Sequence, residues 1–369
     1  MALLPFLLAF GPTFMTINEE VDFYIGTYTS EEGSKGIYHA RLDTATGSIG
    51  GLKLAAEAVT PSFLAVHPNR PLLYAVHEYT SGEVSAYAME EDGGLRRLNT
   101  QKYQGPGPCH LSVDAQGKNV LSASYGDGSL ASLPIQLDGS LAAPAFVFTN
   151  KGSGPDKGRQ EGPHMHAIAT DPTGIRVYAC DLGTDEILIF RIDPETGKLT
   201  RNDPPSGKVA PGEGPRHLAF APGGRFVYVN NEMGNSVTAF QVLPGGGLKA
   251  VQTLSTLPEG ESTRGKSTAE IVCHPNGRWL YVSNRGHDSI AAYSIGSNGR
   301  LSTIGIQAIG VREPRGFDVD PSGKWLVVGG QRSNDLRAIP IGADGKLGTP
   351  KEPVSIDKPV CIVFARKGR

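Results

Sequence analysis

Arg216 and Glu232 are the residues of this chain whose types and spacing most plainly suit chemistry. One guanidinium beside one carboxylate is by itself an ordinary ion pair. Arg285 changes the reading, because it stands one repeat later at the offset that Glu232 occupies (NNE, then SNR). Two guanidinium groups flanking one carboxylate leave positive charge uncompensated, which suits an anionic substrate. Histidines recur close to the same offsets, at His110, His164 and His166. Imidazole is the side chain that exchanges a proton near neutral pH. His166 is a candidate for catalysis, and His110 and His164 for substrate binding. Glu270 and Gln331 are candidate ligands for hydroxyl groups, and Arg315 for an anion. A metal site drawing on His77, Glu78, His110 and His166 lacks any tight motif such as HExxH, so neither metal nor cofactor is expected. A Ser/His/Asp triad lacks its GxSxG element.

These residues sit in a unit that recurs six times, starting at Pro61, Pro108, Met165, Pro215, Thr268 and Pro314. The period of 46 to 57 residues is that of propeller blades or similar arrays. Each copy holds two short apolar runs joined by a Pro/Gly turn, such as HLAFA-PGG-RFVYVNN, which is a hairpin signal. A third run and a weaker fourth follow, and four antiparallel strands per unit make a blade. The final run VCIVFA (360–365) reads as one strand of a seventh unit, and Asp22 to Gly50 supplies its other three. The expected fold is all-β: a seven-bladed β-propeller, residues 22–369, whose last blade is closed by both chain ends. Such closure removes free sheet edges.

In a blade the start of the first strand and the end of the second lie at the same end. The first offset carries His110, His164/His166, Arg216 with His217, Glu270 and Arg315. The second carries His77/Glu78, Tyr125, Asp181, Glu232, Arg285 and Gln331. All are expected around one mouth of the central channel. Their location repeats while their identity differs from blade to blade, as expected of a site built on a symmetric scaffold. Two polar connections, 150–164 and 254–268, open on this mouth and are expected to cover it. His67 and His274 fall in turns at the other mouth and are read as structural.

A net charge of −2 and the lack of a basic stripe exclude nucleic acid as an expected partner. No run is long enough to span a membrane. The four cysteines have no CxxC spacing and read as buried thiols. Residues 1–21 form an N-terminal extension whose first sixteen residues are apolar and lack a basic start; it is read as a weak signal or an over-extended start, and the chain is expected to be cytoplasmic. Oligomeric state is not legible here.

The pieces YIGTYTS, GPHMHA, GPRHLAFAPGGRFVYVNNE, HPNGRWLYVSNRGHDSIA, PRGFDVDPSGKWLVV and PVCIVF resemble the seven-bladed lactonase family. That family includes bacterial propeller-type 6-phosphogluconolactonases and fungal carboxy-cis,cis-muconate lactonizing enzymes. The resemblance runs over nearly the whole chain from Asp22. It implies a His–Arg–Glu–Arg site, which falls here on His166, Arg216, Glu232 and Arg285. It also implies a small anionic lactone as substrate. Hydrolysis of 6-phospho-D-glucono-1,5-lactone is the expected reaction, with Glu232 or His166 as general base. Lactone formation from a muconate dicarboxylate is the alternative reaction, and a non-catalytic binding propeller is the alternative of a different class.

Overall fold

The computed structural model describes residues 20–78, 82–103 and 105–365. These form seven four-stranded antiparallel sheets, each running in chain order from the channel outward except the last. We number the blades 1 to 7 by their innermost strands: Leu64–Val66, Pro108–Val113, Met165–Thr170, Pro215–Phe220, Ser267–Cys273, Pro314–Val319 and Pro359–Phe364. Blade 7 joins that C-terminal strand to Glu20–Thr27, Gly36–Asp43 and Ile49–Glu57, with Phe23 opposite Phe364 and Ile25 opposite Ile362. The closure read from the two chain ends is therefore present. The first strand starts at Glu20, so the expected N-terminal extension falls, but for its last two residues, outside the described residues.

Second strands such as Leu72–His77 and Phe226–Asn231 are buried along their whole length. They are covered on both faces because blades stack face to face. Leu121 and Ala123 of blade 2 pack with Ile168 and Val177 of blade 3, and Phe23 and Ile25 of blade 7 with Trp325 and Val327 of blade 6. Outer strands such as Leu248–Ser255 face solvent and alternate.

Polar ties reinforce the stacking. Tyr74, Tyr178, Tyr228 and Tyr281 sit at one position of the repeat, and each hydroxyl donates to a glycine carbonyl of the next blade, at 3.1, 2.8, 3.2 and 2.9 Å. His67 and His274 do the same from their rings, to Gly117 O at 2.9 Å and Gly323 O at 2.8 Å. Gly323 has φ +74°, and a Cβ there would lie 2.6 Å from the His274 ring, so glycine is required twice over. No helix among the described residues is long and apolar enough to cross a membrane.

Candidate active site

The inner strands of blades 2 to 7 begin with an irregularity that shapes the site. In blade 4 Pro215 pairs with Asn231 and then His217 with Asn230, so one residue is inserted. Similar shifts occur in blades 2, 3, 5 and 6. Neighbours on a regular strand point to opposite faces, and a bulge re-aims them. Here it lets the consecutive side chains of Arg216 and His217 touch each other.

Glu232 is the hub of the site and is 5% exposed. It follows the second strand of blade 4. Arg216 Nε donates to its Oε2 at 3.0 Å, and Arg285 Nη2 of blade 5 lies 3.0 Å from the same oxygen. Arg159 Nη2 donates to Oε1 at 2.6 Å. His166 Nε2 lies 3.8 Å from Oε2. Burial would raise the Glu232 carboxyl, but Arg285, then Arg216 and His166, hold it well below the usual carboxylate range. Glu232 is thus an anion with little appetite for a proton.

The guanidinium groups keep donors in reserve. Among the described residues Arg216 Nη2 has no hydrogen-bond partner, while its Nη1 donates to Ala269 O. Burial, then the charges of Arg285 and Arg315, lower the Arg216 pKa to about 10. Arg285 Nε is buried without a partner among the described residues. Arg315 makes no ion pair among the described residues, and its guanidinium carbon lies 5.3 Å from the centre of the Tyr28 ring. The Tyr28 hydroxyl is held by both Glu78 oxygens, at 3.1 and 3.0 Å.

Three imidazoles crowd the channel below. The His217 ring centre is 5.0 Å from that of His110 and 5.3 Å from that of His166. All three are held well below the ordinary histidine pKa, by burial first and then by a neighbouring group, His217 for His110 and the Arg216 charge for the other two. They are neutral at pH 7. His110 also stacks on Phe63 at 4.2 Å. Glu270 Oε1 is 2.8 Å from His217 Nδ1, and burial raises its carboxyl to about 7.

The structure therefore gathers His166, Arg216, Glu232 and Arg285, with Arg315, Glu270 and His110 close by. It separates His164 from His166, although both were expected at the same offset as site residues. His164 precedes the strand, and the register shift between Met165 and Ala167 separates the two. Its Nδ1 donates to Tyr125 O at 2.8 Å, its Nε2 is 3.1 Å from Glu161, and its ring stacks on Tyr125 at 4.4 Å. It braces Tyr125 and does not reach Glu232. Gln331 reaches the mouth with a buried Oε1 that has no partner among the described residues. His77 is turned away, held by Val59 O and Ser85 Oγ at 2.9 and 2.7 Å. Asp181 accepts from the backbone of His164 and Gly183 and serves the turn.

Sequence reasoning singled out neither Arg159 nor Tyr28. Arg159 sits in the longest gap between repeats, in the connection expected to cover the mouth, and that length was its one signal. Fully buried Gln160 anchors the connection through Leu182 O at 2.8 Å.

A family model described as "Lactonase, 7-bladed beta-propeller" matches residues 22–364. The chain belongs to that family. Among propeller lactonases it is 38% identical over 301 residues to the 6-phosphogluconolactonase of Bacillus subtilis, covering 80% of this chain and 84% of that one. It is 32% identical over 305 residues to the 6-phosphogluconolactonase of Formosa agariphila, covering 80% and 86%. The solved structure of the periplasmic gluconolactonase of Pseudomonas aeruginosa superposes with a TM-score of 0.89 at 29% identity, covering 94% of this chain and 99% of that one. In this chain the arginine–glutamate hub lies at the channel mouth, where the inner strands begin.

Proposed function

We propose that the chain hydrolyses a sugar lactone, 6-phospho-D-glucono-1,5-lactone above all. The observation that carries this reading is the charge of the mouth. Three guanidinium groups surround the one carboxylate of Glu232, and Arg315 stands beside them, over the Tyr28 ring and with no ion pair of its own among the described residues. Such a mouth suits a substrate with a phosphate and a carbonyl oxygen that becomes an oxyanion. The names of the relatives agree.

Water attacks the lactone carbonyl and His166 takes its proton. Neutral His166 has a lone pair for this, whereas the Glu232 carboxylate is engaged by three guanidinium groups. Glu232, 3.8 Å away, then stabilises the imidazolium. A positioned base is worth about 10²–10⁴-fold. Arg216, through its free Nη2, and Arg285 stabilise the oxyanion. The ring C–O bond breaks, the proton passes to the leaving oxygen, and the open-chain acid is released. Arg315 holds the phosphate. We further place the reaction in the cytoplasm, where the four unpaired thiols would persist, a reading that cell fractionation tests.

The test is hydrolysis of the phosphosugar lactone above its spontaneous rate, beside His166→Ala, Arg315→Ala and a carboxymuconolactone control. Acceleration that falls at least about 10²-fold in His166→Ala supports the assignment. Turnover of the control alone transfers the chain to the lactone-forming reaction.

A further inference from the structure

Arg216 needs more support than Glu232 gives it. Arg285 and Arg315 both repel its charge, and among the described residues the Nη2 meant for the oxyanion has no partner to fix it. The missing support lies beneath it. Nη1 is 3.3 Å from Nδ1 and 3.0 Å from Nε2 of His217. A donor almost equidistant from both nitrogens of one imidazole lies on the lone pair of neither. In the ring plane it would collide with the carbon between them, so it sits over the ring face. A guanidinium is attracted to the face of a neutral aromatic ring and repelled by an imidazolium.

Glu270 decides how that ring stands. Its Oε1 is 2.8 Å from His217 Nδ1 and also accepts the Ile271 backbone N–H at 3.0 Å, so the carboxyl is itself oriented. The preceding residue, Ala269, offers its carbonyl to Nη1 of the same guanidinium. Two consecutive residues of blade 5 therefore grip two consecutive residues of blade 4: Ala269 holds Arg216 directly, and Glu270 holds the ring on which it rests.

We propose that Glu270 and His217 are positioning residues for Arg216. Glu270 keeps His217 in its neutral Nδ1–H form with the ring face under the guanidinium, and this aims Nη2 at the substrate. The oxyanion as target rests on the lactonase reading. The pairing itself does not.

The experiment pairs kinetics with side-chain ¹⁵N NMR on wild type, Glu270→Ala and Glu270→Gln. Glutamine keeps an oxygen that accepts from Nδ1–H, whereas alanine leaves the ring unheld. Displacing a catalytic group by on the order of 1 Å costs about 10²-fold. In Glu270→Ala, kcat and kcat/KM should therefore fall together by about that factor, the mark of a contact made in the transition state. Glu270→Gln should recover most of the loss. In the spectra, wild-type His217 should be neutral with its proton on Nδ1, and rotation of the Arg216 guanidinium should be slow. Both features should disappear in Glu270→Ala. A wild-type His217 protonated on Nε2, or Arg216 equally restricted in Glu270→Ala, overturns the proposal. If wild type hydrolyses no lactone, the functional reading falls and the spectra still decide the pairing.

Discussion

Replacing Glu232 by glutamine keeps the shape of the hub and removes its charge. Glu232 faces Arg216 and Arg285 at 3.0 Å and Arg159 at 2.6 Å. With charge centres about 4 Å apart and an effective dielectric near 20, each buried pair is worth roughly 4 kcal/mol of attraction. Arg216 and Arg285 then contribute roughly 8 kcal/mol together. Arg159 is 45% exposed and adds about 1 kcal/mol at most after solvent screening. Relief of the carboxylate's own burial returns several kcal/mol, and the net loss is about 3–5 kcal/mol. The assay is equilibrium denaturation of both proteins at pH 7, with and without inorganic phosphate. Glu232→Gln should be less stable by that amount, and phosphate should restore it more than it helps wild type. The pH dependence has a definite sign. The Glu232 carboxyl is depressed in the folded state, so its contribution is complete above the unfolded value of about 4.3 and is lost as pH falls through the lower folded value. The gap between the proteins should stay constant from pH 5 to 8, roughly, and close only in stronger acid. Equal stability of the two proteins, with no difference in their response to phosphate, would refute the electrostatic account of the hub.

Arg159→Ala should raise KM for the anionic lactone and reduce its sensitivity to salt while moving stability by about 1 kcal/mol or less, because the side chain is 45% exposed; steady-state kinetics at two ionic strengths check this. Glu270 holds its proton up to about pH 7 when folded against 4.5 ordinarily, so the folded state binds more protons in that window and the group's contribution falls as pH rises through it. Glu270→Gln should therefore gain on wild type by a few kcal/mol between about pH 4.5 and 7 in denaturation curves. Tyr228→Phe removes the hydrogen bond to Gly299 O and leaves that carbonyl unpartnered, for a loss of about 1–2 kcal/mol in the same assay. Deleting residues 359–365 strips the inner strand from blade 7 and bares the edge of Glu20–Thr27; size-exclusion chromatography should show aggregates in place of the wild-type species.

Most of the fold was legible in the chain itself. A propeller repeats one local pattern, and the signals that define a blade lie within a few residues of one another: apolar runs, Pro/Gly turns and polar residues at two fixed offsets. Even the closure of blade 7 was readable, since an incomplete unit at each end implies the other. The two polar offsets located the mouth, because the start of one strand and the end of the next coincide in any hairpin. Tertiary structure decided what those offsets could not. The register shift between Pro215 and His217 makes Arg216 the inserted residue and so sets its direction, and no repeat alignment marks it. His164 and His166 look equivalent in HMH, yet a register shift gives one to Tyr125 and the other to Glu232. Arg159 stands 73 residues from the carboxylate it binds, in a stretch outside the repeat. The assignment of proton affinities also waited for coordinates. Glu232 and Glu270 are the same residue type at the same mouth, but one lies among three guanidinium groups and is depressed, while the other is raised by burial to about 7. A carboxyl's charge is set by what packs around it in space, and that information is distributed over several blades.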